Sequence, residues 1–232
     1  SVEKEITIFH AKAVNETLKK TRANVDFLGF HGQTIFHNAK EKITKQLGDG
    51  KLLSKLTKKN VVYDFRQNDL KNGGQGAPLA PLFHELLANK FNLLPTIFVN
   101  IGGISNLTRL PDKNSIRSWD CGPGMCLIDT WIRIKSNKKI DKDGKIAKTG
   151  TVNKKIFKKY INQINYFWYD TSIKSFDTND FNINLAKGLS LKDGAATLTE
   201  VTAMNIARQI NDLAYEKTNV ILCGGGRKNK FL

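Results

Sequence analysis

Hydrophobic positions recur at three- and four-residue intervals in several stretches of the chain, with short apolar blocks between them. Residues 7–20 place Ile8, Ala11, Val14 and Leu18 on one face and predict a helix. The run over 25–30 (VDFLGF) predicts a strand that enters a polar turn at His31, Gly32, Gln33 and Thr34. Residues 51–60 suit a short amphipathic helix, and 61–66 (VVYDFR) a strand with a charged end. A loop opened by Gly73, Gly74 and Gly76 follows, and a helix begins near Pro81. Residues 96–101 (TIFVNI) are a pronounced β run. Gly102 and Gly103 then turn the chain, 104–110 return as the second strand of a hairpin, and 115–119 form a third strand that delivers Asp120 to a loop.

Helical spacing resumes over 125–135, with Ile128, Trp131 and Ile132 on one side. Val152, Ile156, Phe157, Tyr160, Ile161 and Ile164 mark an amphipathic helix with lysines opposite. The aromatic cluster at 166–169 lacks regular basic interleaving and reads as packing, not as a base-stacking platform. Residues 170–194 are polar and irregular, with Asp193 as an N-cap. A long helix over 195–214 puts Ala203, Ile206, Ala207, Ile210 and Leu213 on one face. The block 219–223 (NVILC) predicts a buried strand, followed by Gly224, Gly225 and Gly226. Strands alternating with helices define an α/β chain.

Candidate chemistry gathers where strands end in glycine. Asp120 stands directly before Cys121, Gly122, Pro123 and Gly124, and an apolar helical run begins after them. A carboxylate beside glycine-rich backbone at a helix start can handle phosphate, because glycine lets backbone amides approach a ligand closely. A plain strand-to-helix connection is the competing reading of this stretch alone. His31, likewise, is either a satisfied core histidine or a ligand contact. An Asp64–Arg66 surface pair would contribute little.

Composition narrows the classes. The chain has 232 residues, of which 40% are hydrophobic and 25% charged, as in globular proteins. No apolar run reaches the roughly 20 residues of a spanning helix. The net charge of +16 comes from 30 lysines and 7 arginines against 21 acids. Scattered and paired lysines with few arginines read as a solvated surface instead of a dedicated nucleic-acid face. Cys121, Cys126 and Cys223 show no metal-binding spacing, which predicts reduced thiols, no protein-held metal and a cytoplasmic setting. The start resembles no signal peptide, and both ends read as cut.

Five ordered motifs carry a family resemblance. They are HGQT at 31–34, DFR with Asp69, GGQGAPL and FH over 64–84, NIGGISNLT at 100–108, DCGPG with Asp129 and Trp131, and CGGG with Asn229. Together they resemble the anhydro-N-acetylmuramic acid kinases. The resemblance implies the ribonuclease H-like, actin-like ATPase (sugar kinase) fold, with two domains around a cleft. On that reading 1–69 is a remnant of the first domain and 70–232 a second domain truncated at its C-terminus. It implies ATP and Mg²⁺, a small amino-sugar substrate, no membrane partner and a homodimer at full length. The implied reaction hydrolyses the 1,6-anhydro bond and yields N-acetylmuramic acid 6-phosphate in cell-wall recycling.

Carried over by position, Asp120 matches the catalytic base. Gly102, Gly103, Gly122, Gly124, Gly224, Gly225, Gly226 and Asn229 match nucleotide- and phosphate-binding segments. His31, Gln33, Thr34, Asp64 and Arg66 match the sugar side. Three departures stand out. The family's GTSxDG phosphate loop and its last part are absent, so the chain alone is expected to be inactive. Met125 replaces an Asn, and 174–179 (KSFDTN) replaces a KSTGRE-like stretch. Other readings are a different sugar or acid kinase of the same fold, a nuclease using Asp64, Asp69, Asp120 and Asp129, and a basic nucleic-acid-binding protein.

Overall fold

The computed structural model describes residues 1–38, 41–169, 176–214 and 217–232, and the side chains of 166–169 lie outside that description, as does the aromatic cluster they form. The chain divides into two compact units, Ser1–Leu79 and Ala80–Leu232. Both mix helix and strand, as the α/β pattern predicts.

In the first unit, α1 (Val2–Thr21) begins at an N-cap, Ser1, whose side chain accepts from the Lys4 amide. Then come β1 (Phe27–Phe30), β2 (Gln33–Asn38), β3 (Ile43–Leu47), α2 (Gly50–Thr57), β4 (Asn60–Tyr63) and α3 (Phe65–Lys71). β1 pairs in parallel with β4, and β2 pairs antiparallel with β3. Ala11, Phe30 and Leu53 form a small core, with Val61 packed on it.

Two expectations are corrected in this unit. Gln33 and Thr34 lie on β2 and not in a turn. That hairpin escapes the pattern because Ile35 and Phe36 are both exposed, so no alternation of buried positions marks it. The strand predicted over 61–66 stops at Tyr63. Asp64 adopts a left-handed conformation (φ 60°), which breaks the strand and starts α3, so Arg66 is helical.

The second unit contains α4 (Ala80–Lys90), β5 (Thr96–Ile101), β6 (Ile104–Asp112), β7 (Ser115–Pro123), α5 (Cys126–Lys135), α6 (Lys154–Tyr169), α7 (Leu191–Leu213) and β8 (Asn219–Cys223). The strands form one sheet in the order β7-β6-β5-β8. β6 runs antiparallel to β5 and β7, and β8 runs parallel to β5. The strand predicted over 115–119 continues through Pro123, so Asp120 belongs to the strand and not to the loop after it.

One sheet face buries Ile97, Val99, Ile101, Leu107 and Cys121 against Ile206 of α7. The other buries Phe98 and Leu110 against Ala88 of α4. A larger cluster joins α5, α6 and α7 through Leu127, Ile128, Trp131, Ile132, Tyr160, Ile164, Leu198 and Val201.

The start of α7 also differs from expectation. Its N-cap is Ser190, which accepts from the Asp193 amide, and Asp193 sits one turn inside the helix. The Asp193 carboxylate instead accepts from the Thr151 amide at 2.8 Å. Gly194 lies within the helix, where a Cβ would overlap the Trp131 indole, so glycine permits the close approach of α5 and α7.

Candidate active site

Three glycine turns meet at one end of the four-stranded sheet. Gly102 and Gly103 link β5 to β6. Ile104 pairs with Pro123 at the end of β7, and Asn100 pairs with Cys223 at the end of β8. The carboxyl ends of β5, β7 and β8 therefore lie side by side, the usual place for a ligand in an α/β sheet.

The glycines at this end do different work. Gly124 donates to the Gly103 carbonyl at 2.9 Å, Met125 to Gly102 at 2.8 Å and Cys126 to Gly103 at 3.1 Å. These bonds tie the start of α5 onto the first turn and occupy the amides that a phosphate would otherwise meet there. A Cβ at Gly124 would overlap the Gly102 carbonyl oxygen. Gly122 has φ +124° and packs against the Asn205 carboxamide. Gly224 (φ +80°) packs on Asn100 and the Ile101 carbonyl, and Gly226 packs on the Ile101 side chain.

Gly103 and Gly225 are exposed, and a Cβ at Gly225 would meet nothing within 4 Å. Exposed glycine backbone at this sheet end is thus at Gly103 and Gly225, whereas Gly102 is half-buried with its amide donating to the Ile104 carbonyl and its carbonyl accepting from Met125. Asn229 is buried, and its Oδ1 accepts from the amides of Phe231 (3.0 Å) and Leu232 (3.2 Å).

A β-bulge shapes the end of β7. Ser105 pairs with Gly122 and Asn106 with Asp120, which leaves Cys121 as the extra residue. One face of α7 holds this bulge. Thr202 donates to the Gly124 carbonyl at 2.9 Å, Asn205 to the Cys121 carbonyl, and Gln209 to the same carbonyl at 2.8 Å. Gln209 also accepts from Trp119 Nε1 at 3.0 Å. The apolar spacing of α7 gave no sign of this polar contact, although Thr202, Asn205 and Gln209 sit at helical intervals that could have signalled it. The Cys121 thiol is fully buried, which pushes its pKa up to about 12 and makes it inert, as expected of a packing thiol.

Asp120 is half-buried. Its Oδ2 accepts from the Phe176 amide at 2.8 Å, and no hydrogen bond reaches Oδ1 among the described residues. Burial raises the carboxyl above its ordinary range, and the Phe176 bond offsets part of that rise. One oxygen is fixed and the other is open, on a carboxylate shifted towards accepting a proton. Of the 174–179 stretch, Lys174 and Ser175 fall outside the described residues.

A cavity of about 580 Å³ adjoins the first turn, lined by Gly103, Asp129, Thr130, Arg133, Thr178 and Asn179 among others. Burial also raises Asp129, whose Oδ1 has no partner among the described residues. Among the described residues no three or more His, Cys, Asp or Glu converge as a metal-binding group. Of the acids named for a nuclease, Asp64 and Asp69 belong to the first unit and Asp120 and Asp129 to the second.

In the first unit, Arg66 Nε donates to His31 Nε2 at 2.9 Å, and Arg66 Nη1 donates to the Gly76 carbonyl at 2.8 Å. Because Nε2 accepts, His31 Nδ1 carries the proton and donates to the Gly32 carbonyl at 2.9 Å. Asp69 Oδ2 accepts from the Gly76 amide at 2.6 Å, so the glycine loop is held from both sides. Arg66 pairs with His31, not with Asp64. His31 and Asp64 line a cavity of about 360 Å³ together with Gln46, Gln67 and Lys71. Thr34 Oγ1 accepts from Gln46 at 3.3 Å, and Gln33 is exposed. His31 is an exposed, hydrogen-bonded residue and not a core histidine.

Comparison with known proteins agrees with the family resemblance. The family model described as anhydro-N-acetylmuramic acid kinase matches residues 1–232. The chain is 48% identical over 238 residues to the anhydro-N-acetylmuramic acid kinase of Pelagibacter ubique (strain HTCC1062). It is 42% identical to that of Rhizobium etli and 39% to that of Brucella canis. Each comparison covers 100% of this chain and 63% of the relative, so the chain spans less than two thirds of their length. The solved activator of the 2-hydroxyisocaproyl-CoA dehydratase from Clostridium difficile, with bound ADPNP, aligns over 88% of this chain and 81% of its own. That alignment has a TM-score of 0.43 and 14% identity. With its whole length matched by the family model, this chain belongs to the anhydro-N-acetylmuramic acid kinase family.

Proposed function

We propose that the full-length protein phosphorylates 1,6-anhydro-N-acetylmuramic acid from ATP while water opens the anhydro bridge. The observation that carries this reading is Asp120. It is a half-buried carboxylate with a raised pKa, one fixed oxygen and one open oxygen, at the strand ends where two glycine turns expose backbone.

In the proposed reaction, water adds to the anomeric carbon and gives one proton to Asp120 Oδ1. The bond from that carbon to O6 breaks, and its electron pair stays on O6. O6 then bonds to the γ-phosphorus as the bond to the β,γ-bridging oxygen breaks, releasing ADP. Positioned proton removal is worth roughly 10²- to 10⁴-fold. Gly103 and Gly225 offer exposed backbone to the nucleotide, and Gly102 shapes the turn that presents Gly103. Gly122, Gly124, Gly224, Gly226 and Asn229 hold the turns in shape. His31, Gln33, Thr34, Asp64 and Arg66 contribute the sugar side. Among them, the Arg66–His31 pair offers positive charge for an anionic group.

Mg²⁺, when bound, neutralises charge on the transferring phosphoryl group. In this reading the ion is carried by ATP phosphates and water, the usual way Mg²⁺ is held. Family membership supports a ribonuclease H-like, actin-like fold, a homodimer and a cytoplasmic role in murein-sugar recycling. Among the described residues no helix is long and apolar enough to cross a membrane.

The test is Asp120→Asn in the full-length protein. ATP and the anhydro sugar should bind with unchanged Kd by calorimetry, while kcat falls at least about a hundredfold. Near-wild-type turnover would remove Asp120 from the role of base.

A further inference from the structure

Asp120 does not stand alone on its sheet face. The register places Asn100 opposite Asn106, and Asn106 opposite Asp120. These three residues share the face that carries Phe98 and Leu110, because side chains alternate along each strand. One row further from the glycine turns, Phe98, Thr108 and Ser118 lie side by side, and His84 of α4 covers them. The His84 ring stacks on Phe98 with centroids 4.4 Å apart, and its Nδ1 is 2.9 Å from Thr108 Oγ1.

The covered row is hydrogen-bonded, with Ser118 donating to the Leu107 carbonyl at 2.9 Å. The Asn100–Asn106–Asp120 row is polar throughout and only partly buried. The Asn106 carboxamide makes no hydrogen bond among the described residues. Directly opposed residues on antiparallel strands have Cβ atoms about 4.5–5.5 Å apart. A partly buried amide with nothing to bond, beside a carboxylate with an open oxygen, is a site for a small polar group that needs two acceptors.

We propose that Asn106 is a catalytic residue that binds the attacking water together with Asp120. This rests on the kinase reading above. Water has two protons. The one that leaves as the new carbon–oxygen bond forms goes to Asp120 Oδ1. The one that stays, and becomes the anomeric hydroxyl proton of the product, is held by the Asn106 Oδ1 carbonyl. With both protons directed at neighbouring strands, a lone pair faces the anomeric carbon. Asn106 changes no charge and gains or loses no proton, so it orients the nucleophile and leaves the proton transfer to Asp120.

The experiment uses the full-length protein with ATP, Mg²⁺ and 1,6-anhydro-N-acetylmuramic acid. Asn106→Leu keeps the side-chain volume and removes the acceptor. Its kcat should fall about thirtyfold, while KM for both substrates and the melting temperature stay close to wild type. If Asn106→Leu does not fold, Asn106→Ser decides, because it keeps polarity but lacks the carboxamide reach; it should show the same kcat loss. A variant that folds and keeps kcat within twofold overturns the proposal. So does one in which KM rises while kcat holds, because that marks a sugar contact only. Asp120→Asn run alongside separates the two claims. Full activity there would sink the kinase-base reading itself, whereas a slow Asp120→Asn beside a fast Asn106→Leu would sink only the role of Asn106.

Discussion

Gly102–Gly103 and Gly122–Gly124 lie against each other at one sheet end, are made of similar residues, and serve opposite ends. The second turn is consumed by structure. The Gly124 amide bonds to Gly103, a Cβ on Gly124 would overlap the Gly102 carbonyl oxygen, and Gly122 accommodates the Asn205 carboxamide at a bulge. The first turn keeps Gly103 exposed, and the neighbouring Gly225 has open space where a side chain would be. Glycine at a strand end therefore marks either a close backbone contact inside the protein or room for a ligand outside it. Only the neighbours decide which.

The largest effect that separates the two turns should come from Gly124→Ala. The added methyl meets backbone, which cannot rotate away, and it disturbs the amides that tie α5 to the first turn. We expect a loss of about 2–3 kcal/mol in urea unfolding. A change within about 0.5 kcal/mol would mean that the turn yields and that the contrast is wrong. Gly225→Ala should do the reverse. Its stability should stay within about 0.5 kcal/mol of wild type, while ATP affinity falls about tenfold in full-length protein, or roughly 1.4 kcal/mol. Unchanged ATP binding would take Gly225 out of the nucleotide surface.

Much of the second unit is legible in the sequence. The β run at 96–101 and its hairpin partner occur where the apolar pattern puts them, because their side chains are buried on at least one face. The block at 219–223 is a strand but not the buried one its apolar run predicts: it ends the strand order, with Val220 and Leu222 exposed and Ile221 and Cys223 half-buried. The β2–β3 hairpin is not legible, since Ile35 and Phe36 both face outward and erase the alternation. Nor is the left-handed turn at Asp64, which moves Arg66 from a strand to a helix and gives it His31 as a partner instead of the nearby acid.

The candidacy of Asp120 can be read from its place before the glycine turn. Its setting cannot. The bulge that isolates Cys121, the three polar residues of α7 that hold it, and the register that sets Asn106 opposite Asp120 are all tertiary facts.

The most direct measurement is the pH dependence of kcat/KM in the full-length protein, which reports groups of the free enzyme. Burial raises the Asp120 carboxyl, and a base works only when ionised. Activity should therefore be full above that raised pKa and fall tenfold per pH unit below it, with the midpoint above the ordinary carboxylate range of about 4. The residual activity of Asp120→Asn should lack this acidic limb. The same limb in Asp120→Asn, or a wild-type profile that stays flat down to the ordinary carboxylate range, would contradict the assignment of Asp120 as the base.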